Sequence, residues 1–446
     1  MLRAGNLQPL DPSSRDSRDF LKRRDYELGT QLALLLGNAF PMFAEKILMK
    51  PGSAEWFDTT AAGRPKILVL GRYFPPAKRA GGPTRSVFEM VRNLPQYAFY
   101  VYCRDREFGT REKLPGIISN TWEKQGHAHV CYASFFNRTA LHVICLLKKI
   151  RPDAIYICSF FAREPTMQFL CLRRLGLIGG IPVILAPHGE FSPGALSIKP
   201  RRKRLYLTIA RFLRLNNELV WHACSSEELG SIRHILGNKA QVVEAPNFPP
   251  NPLQEALSSH RHKNDGMVHL LFLSRISPMK NLLGAIRILS RVKTPALLDI
   301  YGPIEDARYW RTCLAEMATL PAMVTARYKG LVDPELVGEV FLQYDALFLP
   351  TFGENYGYVI VESLAAATPV LLSDRTPWGD LESSHAGWIV DGNKPDLFVS
   401  RIEQLASMSE AEHARWRAGA FAYAQSLGQR EFLHKAYANL FPVILK

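Results

Sequence analysis

From Lys66 onward, short apolar runs rich in β-branched and aromatic residues alternate with longer stretches whose apolar positions recur at helical spacing. Lys66 to Gly71, Tyr97 to Tyr102, Ala154 to Cys158, Pro182 to Ala186 and Leu219 to Ser225 predict strands separated by helices, the rhythm of a parallel α/β sheet. A polar segment, Asn247 to Gly266, then interrupts the pattern with Pro249, Pro250 and Pro252 ahead of Ser258-Ser259-His260-Arg261-His262-Lys263. Such punctuation predicts an interdomain linker over 248–266. The alternation restarts with Val268 to Arg275, Ala296 to Gly302, Asp345 to Pro350 and Pro369 to Ser373. The expectation is two Rossmann-like doubly wound parallel-sheet domains, 64–247 and 267–427, followed by a helix in 428–446 that crosses back to the first domain. Residues 1–63 lie outside the pattern. Within them Glu27 to Met49 reads as a partly amphipathic helix broken near Pro41, either packed on the surface or attached to a membrane or partner.

In open sheets of this kind, ligands bind outside the carboxyl ends of the strands, where loops and helix N-termini present N–H groups. Four segments place chemistry there. In FGENYGYVIVESLAAATPVLL a glycine-flanked loop after the strand Asp345 to Pro350 carries Glu354, and a helix starting near Gly357 carries Glu362. A loop carboxylate can accept hydrogen bonds from sugar hydroxyls, and a helical one can grip a vicinal diol such as a ribose. Between them, the amides near Asn355, Tyr356 and Gly357 face the positive end of the helix and suit a diphosphate. Two glutamates eight apart mean little by spacing alone; the strand end, the Gly-Glu-x-x-Gly setting and the following Thr368-Pro369-Val370 give the pair its specificity.

LSRISPMKNLLGAI delivers Arg275 at a strand end, with Lys280 and Asn281 at the start of the next helix. Cations at that position stabilise the negative charge that grows on a departing nucleoside diphosphate, without a metal. LAPHGEFSPGALSIKPRRKR puts His188 and Gly189 after the strand Pro182 to Ala186, where an imidazole can hydrogen-bond a sugar hydroxyl or polarise the transferring group near neutral pH. In GRYFPPAKRAGGPTRSVFEMV, Gly81 and Gly82 allow close backbone approach to a phosphate.

These four segments, in this order, resemble the retaining glycosyltransferases of family four, which have the GT-B fold, over roughly residues 65–440. The resemblance implies a nucleotide-sugar donor held mainly by the C-terminal domain and an acceptor held mainly by the N-terminal one. Arg275 and Lys280 would then hold the diphosphate, Glu354 the sugar and Glu362 the ribose. The Gly81-Gly82 loop would approach the phosphates or acceptor, and His188 would lie beside the transferred sugar. Asn281, Asn355, Tyr356 and Gly357 complete the donor-binding set, and His188, Arg275, Lys280 and Glu354 the catalytic set. Arg104-Asp105-Arg106 and Asn120-x-Trp122 resemble a bacterial subgroup that builds surface polysaccharides, for which the acceptor is a glycan or a lipid-linked glycan. The family lacks an evident enzymic nucleophile, so retention is attributed to attack on the face that the leaving group departs from. No cofactor and no metal are expected. The long N-terminal extension is a departure from the family pattern.

Composition narrows the alternatives. With 446 residues and 47% hydrophobic content, the chain is too long for a single small binding module. Its formal net charge of +14 calls for an anionic partner, and Lys199, Arg201, Arg202, Lys203, Arg204, Arg211 and Arg214 supply half of that excess. Leu205, Ile209, Phe212 and Leu213 recur at helical spacing in the same stretch, which predicts an amphipathic helix. It either lies on an anionic membrane surface through Arg201 to Arg214 or packs on the core. The seven cysteines are scattered and never form C-x-x-C, as in a reduced cytosolic protein. The sequence therefore predicts a cytoplasmic protein, at most peripheral on the inner face of the cell membrane. No credible D-x-D motif supports a metal-dependent transferase of the other major fold, and no basic–aromatic interleaving or helix-turn-helix supports nucleic acid. A non-catalytic sugar-binding or scaffold protein on the same fold is the remaining alternative.

Overall fold

The computed structural model describes residues 63–441 apart from 260–261 and 264–265, so the Glu27 to Met49 segment lies outside the described residues. The first sheet contains β1 (Lys66–Leu70), β2 (Ala98–Arg104), β3 (Trp122–Gln125), β4 (Ala128–Ala133), β5 (Ala154–Cys158), β6 (Val183–Ala186), β7 (Leu219–Ala223) and β8 (Gln241–Glu244). Its order is β3-β4-β2-β1-β5-β6-β7-β8. Pairings are parallel except where the edge strand β3 runs antiparallel to β4. The second sheet, order β11-β10-β9-β12-β13-β14, is parallel throughout. Its strands are β9 (Val268–Leu273), β10 (Ala296–Tyr301), β11 (Val324–Gly330), β12 (Ala346–Leu349), β13 (Val370–Ser373) and β14 (Gly387–Val390).

The period-two alternation of a strand explains how each sheet is covered on both faces. In β1, Leu68 and Leu70 join an apolar cluster on one face, while Ile67 and Val69 join another on the opposite face. The second cluster is completed by the last described helix, Arg430–Leu440. Leu433, Ala436, Tyr437 and Leu440 of that helix, with Phe441, pack beside Ile67, Val69 and Phe248, and the Tyr437 ring stacks on Phe248 with centroids 4.9 Å apart. The chain thus returns from its C-terminal domain to close the core of its N-terminal one. Each large side chain buried there contributes about 1.5–3 kcal/mol.

Strand order reverses once in each sheet. The change falls between β1 and β5 in the first and between β9 and β12 in the second. Crevices form at such switch points because the flanking loops diverge to opposite faces.

Candidate active site

The second switch point gathers the acidic loop and the basic loop. β9 ends at Leu273, and the chain continues through Arg275 into a short turn, Pro278–Lys280. Asn281, at φ 57°, caps the helix Leu282–Leu289 by accepting from the Gly284 N–H. Its Nδ2 donates to the Pro350 carbonyl at 2.8 Å, which ties the helix start to the end of β12. Both ends of the Asn281 amide are therefore occupied by the scaffold, which fixes the loop that carries Lys280.

Lys280 Nζ donates to Glu354 Oε2, with the two side chains only 11% and 15% exposed. Glu354 is held in turn by its own N–H, which donates to the Arg375 carbonyl at 3.0 Å. Arg275 goes elsewhere. Its Nη1 donates to Glu305 Oε2 at 2.9 Å, and a Cβ placed on Gly81 would lie 3.7 Å from its Nε. The two cations read in sequence as one diphosphate clamp are thus separately partnered, because Glu305, after β10, reaches Arg275 first. No signal in the sequence ties Glu305 to that arginine.

After Glu354, the helix Tyr358–Ala365 is capped by Gly357 at φ 76°. A side chain is excluded there twice over: the backbone is left-handed, and a Cβ would meet Glu354 Cγ at 2.8 Å. The backbone N–H groups of Asn355, Tyr356 and Gly357 donate no hydrogen bond among the described residues, and they precede the helix N-terminus, a favourable setting for an anion. The Tyr356 ring itself packs edge-on against Tyr358 and near Trp378, whose Nε1 donates to the Tyr356 carbonyl at 2.9 Å. Tyr356 therefore offers its backbone rather than its phenol.

Glu362 lies one turn into that helix, opposite Arg85 of the N-terminal domain at 3.9 Å. Arg85 also pairs with buried Glu89 at 2.9 Å within the helix Gly82–Asn93, which starts at the Gly81-Gly82 loop. Burial pushes the Glu362 carboxyl up to about 7, against the pull of Arg85 and with a small push from Glu89. Arg85 sits in the Gly-Gly-Pro-Thr-Arg segment itself, one turn past the glycines, and that position was the available signal.

His188 and Gly189 follow β6, both in left-handed backbone at φ 50° and 80°. Such a conformation is unusual for histidine and marks a constrained site. The His188 Nε2 is buried without a hydrogen-bond partner, and burial, with His222 nearby, lowers the imidazole to about 3. The lowered imidazole is neutral near pH 7 and keeps its hydrogen-bonding capacity. Gly189 is where the domains meet, since a Cβ there would stand 2.8 Å from Asn355 Cβ. Glu228 binds this junction together by accepting from the Gly189 N–H, from the Cys224 N–H at 2.8 Å and from Asn355 Nδ2 at 3.2 Å. In sequence, Ser225-Ser226-Glu227-Glu228 reads only as a helix start, and Ser225 does cap Glu228, so the second use of that carboxylate was hidden.

Of the expected positions, Gly81 faces Arg275 and Gly189 faces Asn355 across the domains, Glu362 faces Arg85, and Lys280 and Glu354 pair within the second domain. Among the described residues, no group of three or more His, Cys, Asp or Glu side chains is arranged to hold a metal ion.

Fold and site together define the GT-B class, two facing Rossmann-like domains with a cleft between their switch points. Residues 254–421 match the family described as Glycosyl transferases group 1. Sucrose-phosphate synthase from Thermosynechococcus elongatus superposes with a TM-score of 0.65 at 16% identity, over 85% of this chain and 98% of that one. Anabaena HepE in complex with UDP and glucose superposes at 0.63 and 16% identity, over 84% and 99%. In sequence, the chain is 28% identical to a D-inositol 3-phosphate glycosyltransferase of Streptomyces scabiei over 276 residues, covering 56% of this chain and 60% of the relative. It is 26% identical to O-antigen chain mannosyltransferase B of Escherichia coli over 142 residues, covering 30% and 36%. The match thus spans about 60% and a little over a third of these curated relatives.

Proposed function

We propose that the protein is a retaining glycosyltransferase that moves a hexose from a nucleotide sugar to a glycan or lipid-linked acceptor. The observation that carries this reading is the Lys280–Glu354 pair at the second switch point, beside unbonded amides and opposite the His188-Gly189 loop. Glu362 accepts hydrogen bonds from the ribose diol. The amides of Asn355, Tyr356 and Gly357 receive the diphosphate, with Arg275 at the edge nearest Gly81. Glu354 orients the sugar, and Lys280 follows the charge that develops on the leaving phosphate. The acceptor oxygen bonds to the anomeric carbon on the face from which the diphosphate departs, and a departing phosphate oxygen takes the acceptor proton. No enzymic nucleophile or metal is required. Incubation with nucleotide sugars in the presence of a chelator, with the anomeric configuration of the product read by NMR, tests the reading; an inverted product overturns retention.

The O-antigen chain mannosyltransferase among the relatives agrees with a role in bacterial surface polysaccharide synthesis. A second observation supports work at an anionic membrane surface. In the helix Pro200–Phe212 only Ala210 is fully buried, whereas Leu205 and Phe212 are 62% and 83% exposed among arginines and lysines. A helix that shows apolar and basic side chains together binds the headgroup region. Among the described residues no helix is long and apolar enough to cross a membrane, so the contact would be peripheral.

A further inference from the structure

The amides proposed for the diphosphate are backbone, and backbone has to be aimed. Gly357 is buried, yet its N–H has no acceptor among the described residues. A buried backbone N–H without an acceptor is rare. This one belongs to the trans peptide between Tyr356 and Gly357, and in a trans peptide the carbonyl and the N–H point in opposite directions. Whatever holds the Tyr356 carbonyl therefore aims the Gly357 N–H.

The Trp378 indole holds it. Nε1 donates to the Tyr356 carbonyl at 2.9 Å, and the side chain lies in the core of the second domain with Leu381. Tyr423 stands edge-on to the indole, centroids 6.2 Å apart, and its hydroxyl donates to Asp380 Oδ1 at 2.8 Å. The Tyr356 ring is 5.6 Å from that of Trp378. Packing therefore fixes the indole N–H in place. The same loop, 374–380 after β13, grips the donor loop a second time through the Arg375 carbonyl, which accepts from the Glu354 N–H at 3.0 Å. The two grips act on different groups: Arg375 on the carboxylate proposed for the sugar, Trp378 on an amide proposed for the diphosphate. Gly357 makes the second grip necessary. Glycine at φ 76° leaves the preceding peptide freer to rotate than a residue with a Cβ would. Turned over, that peptide would present its carbonyl to an anion instead of its N–H.

We infer that Trp378 is a positioning residue for the donor: through the Tyr356 carbonyl it keeps the Gly357 N–H turned to the diphosphate of the nucleotide sugar. The inference rests on the glycosyltransferase reading for the diphosphate. It gives Trp378 no part in recognising the nucleoside, so its loss should weaken the phosphate contribution to binding and leave the nucleoside contribution as it is.

Two substitutions separate the indole N–H from the bulk of the ring. Trp378→Phe keeps an aromatic ring in the core and removes the donor. Trp378→His removes the six-membered ring but sets Nε2–H where the indole has Nε1–H, because the two five-membered rings are attached alike. Binding of UDP and uridine, and of GDP and guanosine, is measured on the full chain at about pH 8, where the imidazole is neutral; each nucleoside is read by competition against its diphosphate. For the pair that wild type binds, Trp378→Phe is expected to weaken the diphosphate at least about tenfold and the nucleoside less than about twofold, while Trp378→His stays within about threefold of wild type for both. Each variant is judged against wild type, so either one decides if the other fails to fold. Equal weakening of diphosphate and nucleoside, unchanged diphosphate binding in Trp378→Phe, or a folded Trp378→His that loses the diphosphate about tenfold would make the indole a packing residue and overturn the inference. A wild type that binds neither UDP nor GDP would instead remove the donor reading, and this inference with it.

Discussion

Lys280 donates a hydrogen bond to Glu354 across 74 residues of chain, joining the loop after β9 to the loop after β12 with both side chains largely withdrawn from solvent. Removing either partner strands the other charge in a poorly solvated place. Lys280→Met and Glu354→Gln are each expected to cost about 1–3 kcal/mol of stability, and the double variant to recover most of the loss. Urea unfolding of the four proteins measures this; additive losses would mean the pair is not coupled.

In its proposed role on the ribose, Glu362 is expected to make nucleotide binding depend on pH. Its carboxyl is raised to about 7 in the folded chain, from 4.5. A raised carboxyl contributes stability that is full below the unfolded value and lost as pH rises through the folded one. The ionised form that appears through that window is the better acceptor for a diol. Calorimetry should show nucleotide affinity increasing between about pH 6 and 8, and Glu362→Gln should be weaker and flat. A flat wild-type profile would contradict this role.

Gly189 controls how closely the domains approach. Gly189→Ala adds a methyl 2.8 Å from Asn355 Cβ and places alanine at φ 80°. The strain alone costs about 1–2 kcal/mol, and kcat/KM should fall at least tenfold as the His188 loop is pushed from the donor loop. A folded variant of full activity would show that this junction does not govern turnover.

Two buried histidines are expected to make the N-terminal domain acid-sensitive. His188 and His222 are lowered to about 3 and 4, both chiefly by burial. His222 accepts from the Tyr156 hydroxyl at 2.7 Å and donates to the Ala245 carbonyl at 2.7 Å, which fixes its neutral tautomer. A lowered imidazole contributes stability that is present above its unfolded value of 6.5 and lost as pH falls towards its folded one. Urea unfolding should therefore show a loss of up to about 1.4 kcal/mol per pH unit per histidine below pH 6. His222→Asn should reduce that slope, and an unchanged slope would remove His222 from the account.

Flotation with vesicles tests the helix Pro200–Phe212. Binding to vesicles containing phosphatidylglycerol, and not to purely zwitterionic ones, should weaken at high salt and fall about tenfold in Leu205→Ser/Phe212→Ser. Salt-insensitive binding, or none, would assign the exposed side chains to another role.

Buried parallel strands such as β1, β2, β5 and β9 were legible because burial on both faces makes them mostly apolar, whereas β4, with His129 inside it, was not. Nor were the edge strands. β3, Trp122–Gln125, contributes two charged residues, and β11, Val324–Gly330, carries Arg327 and Lys329 on an exposed rim. Of the site, Glu354 and Lys280 could be read because a strand end and a helix start flank them. Arg85 offered only its place one turn past the Gly81-Gly82 pair, and Glu228 and Glu305 could not be read, since Asn355 and Arg275 reach them from another domain or a distant loop. Nor does a sequence reveal that His188 is buried enough to stay neutral.

In the proposed function, the Lys280–Glu354 cleft holds and activates a nucleotide sugar. Turnover of a panel of nucleotide sugars in the presence of a chelator, by wild type, Lys280→Ala and Glu354→Ala, tests it most directly. Wild type is expected to consume at least one donor, and each variant to lose at least about 100-fold, or about 2.7 kcal/mol, while circular dichroism shows the fold intact. Undiminished turnover in both variants would contradict it.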